Sequence, residues 1–264
     1  MSIRPSSSAL VALGLLLAAC EDPPKPDTTV KSAVPSSLPA PAPTPAPVAP
    51  VVAAPRPKKK LEDCPKGPNV EFDQKEIEAE VRKKLAKPEG PITQADLKKV
   101  KSLNIATVKM PVLDVCLLSQ LTGVHELFLG PGDYDDLSPV YMLKDLEALG
   151  ASRSQVKDIS GLAKLTKLDR LDLAHTQIED ISPLSALVSL TELTLDDTPI
   201  SDVTPLAKLT KLEKLGIKHT KVKDASPLKP LKKLKVLYVG GTPADEDGVT
   251  LAPVRGNGTK VISD

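Results

Sequence analysis

Aromatic residues and histidines are scarce in this sequence. Its 264 residues include no Trp, two Phe, three Tyr and three His. A hydrophobic core must therefore be built from Leu, Val, Ile and Ala, and few imidazoles remain for catalysis or metal binding. The sequence also lacks a glycine-rich phosphate loop and a Ser/His/Asp arrangement. We therefore expect a protein that is not an enzyme and that needs no cofactor.

An excess of either charge is also lacking. Lys and Arg together number 35 and Asp and Glu number 34, so the net charge is +1. Nucleic-acid-binding proteins usually carry a clear basic excess, so we expect no nucleic-acid partner. The charges are nevertheless unevenly placed, with eight acidic and one basic residue in 169–202 and ten basic and two acidic residues in 208–235. This segregation fits either the steering of a charged partner or simple solubility.

Long apolar runs are absent except near the N-terminus. Arg4 precedes the apolar run from Ala9 to Ala19, which is too short for a transmembrane helix of about 20 residues. The pattern is typical of a secretory signal peptide, which we assign to residues 1–19. The four residues from Leu17 to Cys20 resemble the lipobox of bacterial lipoproteins. This resemblance implies that Cys20 is lipidated and holds the protein in the cell envelope. Glu21 favours the outer membrane by similarity to the enterobacterial sorting rule, facing either the periplasm or the outside.

Proline is common but unevenly distributed. Residues 21–60 contain 12 of the 27 prolines. Such a composition favours an extended polyproline II conformation of about 3.1 Å per residue, which would let the segment reach about 100 Å. We interpret residues 20–60 as the lipidated cysteine followed by a Pro-rich disordered linker.

The chain has three cysteines. Lipidation would commit Cys20, which leaves Cys64 and Cys116. An even pair in an exported protein is most simply a disulfide, which would attach the segment before the core to the first repeat. Two unrelated buried thiols are the alternative.

Apolar residues recur with a period of 22 residues. The clearest column consists of Leu127, Leu149, Leu171, Leu193, Leu215 and Leu237. A second column, from Leu129 to Val239, follows it by two residues, so each unit carries two apolar residues on one face of a strand. Successive strands would stack in parallel about 4.8 Å apart. Because no unit can bury its apolar face alone, the repeats are stable only as a stack.

One repeat unit shows the whole motif. Residues 168–178 read L-x-x-L-x-L-x-x-T-x-I, with Thr where leucine-rich repeats usually carry Asn. The pattern, its 22-residue length and endings such as Asp180-Ile-Ser-Pro-Leu184 resemble the internalin-type leucine-rich repeats of bacteria, over about residues 70–264. The resemblance implies an α/β solenoid with a parallel β-sheet on its concave face, 3₁₀ or short helical returns and a helical N-terminal cap. We expect the Thr hydroxyls to bond loop backbone groups.

Both ends of such a stack need a cap. Asp73-Gln-Lys-Glu76 is a capping-box pattern, after which apolar residues follow at helical spacing to Leu85. Thr93-Gln-Ala-Asp96 predicts a second short helix. We assign residues 61–102 to the helical cap, 103–249 to the repeats and 250–264 to a C-terminal cap strand that includes Val261.

The outward residues of the strands would share one surface. The candidate partner-binding residues on it are Phe128, Arg170, Asp172, Glu192, Lys214 and Tyr238. Two aromatic residues would lie at opposite ends of this surface, where they would either anchor a partner or cover leucines.

Two polar columns invite a metal interpretation. Arg153, His175, Asp197 and His219 form one of them, but its two histidines are two rungs apart, roughly 10 Å, so a solvated rim is favoured. The other is an Asp column from Asp136 to Asp224, which fits turn capping better than a calcium ladder. We therefore expect no metal site.

These observations favour a binding function. We expect a membrane-anchored, monomeric scaffold that presents its concave surface to a protein or envelope polymer. The alternative is a structural spacer of the envelope without a discrete ligand.

Overall fold

A computed structural model describes residues 60–65 and 67–263 of the chain. The signal peptide, Cys20 and nearly all of the Pro-rich linker lie outside these residues. Eight short strands form one parallel sheet, and their order in the sheet follows their order in the chain. The strands are β1 (Ser102–Asn104), β2 (Glu126–Phe128), β3 (Ala148–Gly150), β4 (Arg170–Asp172), β5 (Glu192–Thr194), β6 (Lys214–Gly216), β7 (Val236–Tyr238) and β8 (Lys260–Ile262). The predicted leucine-rich-repeat solenoid is confirmed.

The central residue of each strand points into the core. From β2 to β7 this residue is a leucine, each leucine pairs with the next one along the sheet, and none is more than 2% exposed. The residue two positions after each leucine is also buried, as the period of a strand requires. The core is thus one continuous column of aliphatic side chains.

Short 3₁₀ segments return the chain from one strand to the next. They are Val140–Met142, Ser160–Lys164, Ser182–Ala186, Thr204–Lys208 and Ser226–Leu228. Each begins two residues after a member of the Asp column, and the Asp180 carboxylate, for example, accepts a 2.8 Å hydrogen bond from the backbone N–H of Ser182. The same contact recurs at Asp136, Asp158, Asp202 and Asp224. The turn-capping interpretation of this column is confirmed.

The N-terminal part carries three helices before β2. They are α1 (Lys75–Leu85), α2 (Gln94–Leu97) and α3 (Val115–Gln120). The capping box expected for α1 is wrong, because its N-cap is Gln74 and that side chain makes no capping hydrogen bond. The capping box of α2 is present between Thr93 and Asp96. A disulfide joins Cys64, after a 3₁₀ turn at Leu61–Asp63, to Cys116 in α3.

The C-terminal end closes with two helices as well as a strand. These helices, α4 (Pro243–Asp247) and α5 (Ala252–Arg255), were not expected from the sequence. The expected closing strand is β8, whose Val261 pairs with Leu237 of β7. Leu251 and Val254 are fully buried, so the helices cover the last rung of the core. Within the described part of the chain, no helix is long and apolar enough to cross a membrane.

Candidate functional site

The outward side chains of the strands form one surface, which we call the concave face because leucine-rich repeats line their concave side with the parallel sheet. Each strand has the pattern outward, inward, outward, and two ladders of outward residues run along the sheet. All six residues predicted as a partner-binding set lie on these ladders. They are Phe128, Arg170, Asp172, Glu192, Lys214 and Tyr238, and each is exposed or half-buried. The five rungs from β2 to β7 span about 24 Å.

The N-terminal half of the concave face is closed by its own side chains. The ring of Phe128 lies over Gly150, where an added Cβ would approach the ring to 2.8 Å. The guanidinium of Arg170 reaches two rungs back to the carboxylate of Glu126, with an Nη2–Oε1 distance of 2.6 Å. Ala148 lies between these two partners in the ladder and is fully buried. Arg170 and Phe128 are thus already engaged within the protein.

Acidic side chains dominate the middle of the concave face. The Asp172 carboxylate accepts a hydrogen bond of 3.0 Å from the backbone N–H of Ala174. Asp196 accepts one of 2.8 Å from the backbone N–H of Lys218 on the next rung. Burial nevertheless raises the pKa of the Asp196 carboxyl above its usual value of 3.8. Glu192 on β5 is exposed, so this region presents negative charge to a ligand.

The C-terminal end of the concave face is basic and aromatic. The ammonium of Lys214 lies 5.9 Å from the centroid of the Tyr238 ring, and that of Lys218 lies 5.6 Å from it. These side chains, with Thr194, Asp196 and Gly216, line a shallow depression of about 280 Å³, which we call the C-terminal depression. Lys218 was not among the predicted site residues. It lies in the column after the second core position, which the sequence analysis did not assign to the concave face.

The rim next to the concave face has an unusual backbone. Arg153, His175, Asp197 and His219 all adopt the left-handed region, with φ between 53° and 58°. Such φ values are uncommon for residues other than Gly, Asn, Asp and His. The Asp197 carboxylate lies between the two histidines, 3.5 Å from Nδ1 of His175 and 3.2 Å from Nδ1 of His219. The backbone separation of about 10 Å therefore did not keep these two side chains apart, because both lean toward the aspartate between them.

These rim residues do not form a metal centre in the structure. Within residues 60–65 and 67–263, no group of three or more His, Cys, Asp or Glu is arranged to hold a metal ion. The Asp column binds backbone N–H groups at the 3₁₀ segments, as described above. Nothing in either column marks a catalytic constellation, and the concave face remains the candidate site.

A second depression lies outside the concave face. It has a volume of about 300 Å³, and Leu61, Val112, Val115 and Met142 are among its lining residues. Leu61 is 52% exposed and Met142 is 38% exposed. Sequence reasoning missed it because Leu61, Val112 and Val115 belong to none of the 22-residue columns.

Comparisons with known proteins agree with the architecture. Residues 166–208 match the family model for leucine-rich repeats in two copies. The crystal structure of internalin C2 from Listeria monocytogenes is 31% identical, covers 63% of this chain and 74% of its own, and has a TM-score of 0.59. An internalin from the same organism, inlF, is 30% identical with a TM-score of 0.58, and the match covers 63% of this chain and 49% of inlF.

A more distant relative shows the fold alone. A leucine-rich-repeat protein of Leptospira interrogans is 17% identical, with a TM-score of 0.50 and coverage of 63% of this chain and 49% of its own. The comparison with curated proteins gave no match.

Proposed function

Because the chain belongs to the internalin-like leucine-rich-repeat proteins, we propose that it is a non-enzymatic scaffold whose concave face binds a protein or an envelope polymer. Repeat proteins of this kind use an extended concave surface for recognition. The observation that supports this function most is the shared placement of charged and aromatic side chains from β2 to β7 on one surface. Host-cell adhesion, as a property of other internalins, forms no part of this proposal.

The proposal also includes anchoring by a lipid at Cys20. Its support is the lipobox-like sequence Leu17-Ala18-Ala19-Cys20 after an apolar run of signal-peptide length. The Pro-rich segment that follows would set the distance between the membrane and the repeats. We place the protein in a bacterial envelope, with the outer membrane favoured by Glu21.

The binding function is tested by capture followed by an alanine scan. The full chain, purified in detergent and immobilised, should retain one saturable partner from an envelope extract. Alanine at the six concave residues should then weaken binding, and the strongest anchor should cost at least about 2 kcal/mol. Lys208→Ala is the matched control, because Lys208 is an exposed residue of a 3₁₀ segment.

Two results would contradict this function. One is binding that survives all six concave changes but is abolished by Lys208→Ala, which would place recognition on the return side. The other is the absence of any saturable partner, which would favour the alternative of a structural spacer in the envelope.

A further inference from the structure

Two lysine ammonium groups converge on one aromatic ring at the C-terminal depression. Lys214 extends from β6, Lys218 extends from the loop after it, and Tyr238 lies on β7. Both Nζ atoms are within 6 Å of the ring centroid, which is the range of a cation–π contact. Like charges repel each other, so a site that gathers two of them around one ring is suited to an anion.

The register of the sheet leaves room beside these groups. Gly216 pairs with Tyr238 in the ladder and carries no side chain. An added Cβ at Gly216 would lie 2.7 Å from Oδ1 of Asp196, so the aspartate occupies the space that a side chain would fill. The remaining volume of about 280 Å³ equals that of about nine water molecules, which is enough for one or two side chains of a partner.

The positive charge of this depression is only partly balanced by the protein. Glu192 is the ladder partner of Lys214, yet among the described residues the contact found for Lys214 is with the Tyr238 ring and not with that carboxylate. The Asp196 carboxylate is half-buried and accepts the backbone N–H of Lys218. The exposed ammonium of Lys214 therefore faces the concave side, where a ligand would meet it.

We propose that the C-terminal depression binds carboxylate side chains from a short acidic segment of a protein partner. This proposal rests on the proposed scaffold function and names the chemistry of the partner. A glutamate there would place its carboxylate between the two ammonium groups and its methylenes against the Tyr238 ring.

The neighbouring rungs exclude a long polyanion. A nucleic acid or polyphosphate carries charge at every repeat of its backbone, so it would also meet the negative charge of Asp172, Glu192 and Asp196 on β4 and beyond β5. A segment of two or three acidic residues spans about two rungs, roughly 10 Å, and avoids them. The charge pattern thus favours a short acidic segment and fixes the end of the concave face at which it binds.

The test uses the full chain and a defined probe. Fluorescence anisotropy would follow a fluorescein-labelled octapeptide that contains four consecutive glutamates, against the same peptide with four glutamines. The glutamate peptide should bind at least 10-fold more tightly, and this preference should fall as salt rises from 50 to 150 mM. Lys214→Gln combined with Lys218→Gln should weaken its binding by 10-fold or more, and Tyr238→Leu should weaken it several-fold.

A second double variant provides the charge-matched control. Lys211 and Lys233 are exposed and lie in the turns just before β6 and β7. Changing both to Gln removes the same net charge, and we expect less than a 2-fold effect. Equal losses in the two double variants would show that binding follows net charge alone and would overturn the proposal. So would equal binding of the two peptides, or tighter binding of polyphosphate than of the glutamate peptide.

The outcomes for this inference and for the scaffold function can be separated. If a captured partner loses affinity on Asp172→Ala or Glu192→Ala but not in the Lys214/Lys218 double variant, the concave-face function stands and the acidic-segment proposal fails. If the glutamate peptide binds as expected but no partner depends on the concave face, the proposed function fails instead.

Discussion

The hydroxyl of Thr198 donates a 2.6 Å hydrogen bond to the backbone carbonyl of Leu195, inside the core of the stack. Leu195 is the second core residue after β5, and Thr198 is 2% exposed. The same bond recurs in the other repeats, at Ser154, Thr176, Thr220 and Thr242. A side chain two atoms long thus satisfies a buried carbonyl at the turn that follows each strand. The expectation that these hydroxyls bond loop backbone groups is confirmed.

Replacing Thr198 by Val tests the value of this bond. The change keeps the shape of the side chain but leaves the Leu195 carbonyl without its partner, which costs about 1–3 kcal/mol. We expect the free energy of unfolding in urea to fall by that amount. Thr198→Ser is the control, since it keeps the hydroxyl. If the Ser variant is destabilised more than the Val variant, the methyl group and not the hydrogen bond is the important contact.

Leu193→Ala tests the continuity of the core. Leu193 is 1% exposed and lies between Leu171 and Leu215 in the sheet. The cavity should lower the free energy of unfolding by about 2–5 kcal/mol. Val188→Ala is the control, because that valine is 51% exposed, and it should change stability by less than about 0.5 kcal/mol. Similar effects of the two variants would contradict a core that is packed rung by rung.

The disulfide between Cys64 and Cys116 should be essential for the N-terminal cap. It closes a loop over a sequence separation of 52 residues, and the loss of such a link costs about 2–4 kcal/mol. Cys64→Ser with Cys116→Ser should therefore lower the stability of the folded protein. Alkylation followed by mass spectrometry gives a direct check. Modification of either cysteine before reduction would show free thiols in place of the bond.

Acid should destabilise the protein through the Asp column. The hydroxyl and the backbone N–H of Ser182 hold the pKa of Asp180 below its usual value of 3.8. Hydrogen bonds from the residue two positions on also lower the pKa of Asp158, Asp202 and Asp224. Because these folded-state pKa values are depressed, their stabilisation is present above pH 3.8 and is lost as the pH falls through them.

Unfolding in urea between pH 2 and pH 7 measures this loss. Asp180→Asn should reduce the slope of stability against pH, since the amide oxygen still accepts the N–H but does not titrate. Asp196 should act in the opposite sense, because its pKa is raised and its ionisation opposes folding. A wild-type stability that is constant from pH 5 down to pH 2 would contradict the assignment of the column.

Cys20→Ala tests the lipid anchor. If Cys20 carries the lipid, the variant should move from the membrane fraction to the soluble fraction on centrifugation of lysed cells, since the Pro-rich segment offers little apolar surface for membrane binding. Ser8→Ala, at the edge of the apolar run, is the matched control and should stay with the membrane. A variant at position 20 that still sediments with membranes would defeat the lipoprotein interpretation.

The stack was predictable because every rung repeats the same local environment. The column from Leu127 to Leu237 fixes the register of six strands without information from elsewhere in the chain. The ends lack this repetition and were predicted less well. The pattern at Asp73 matches a capping box, yet α1 begins at Lys75. The helices α4 and α5 have five and four residues, which is too short for a periodic signal.

The candidate site was predictable in position but not in its contacts. Strand geometry alone places Phe128 and Tyr238 on one surface, because outward positions follow from the inward leucines. Long flexible side chains obey no such rule. Arg170 bonds Glu126 across a whole rung, and Lys218 reaches the Tyr238 ring from outside its strand. Both contacts depend on rotamers and on small neighbours, which a column of letters does not specify.

The spacing of the strands also limits how this chain can change its length. Neighbouring strands from β2 to β7 are offset by 22 residues, whereas the first and last pairs are offset by 24. Removing or duplicating 22 residues inside the stack would therefore leave every remaining leucine facing inward. Loss of a single residue in a strand would instead turn its side chains to the opposite face. Recombination between similar repeats can thus lengthen or shorten the binding surface in steps of about 4.8 Å without a new core.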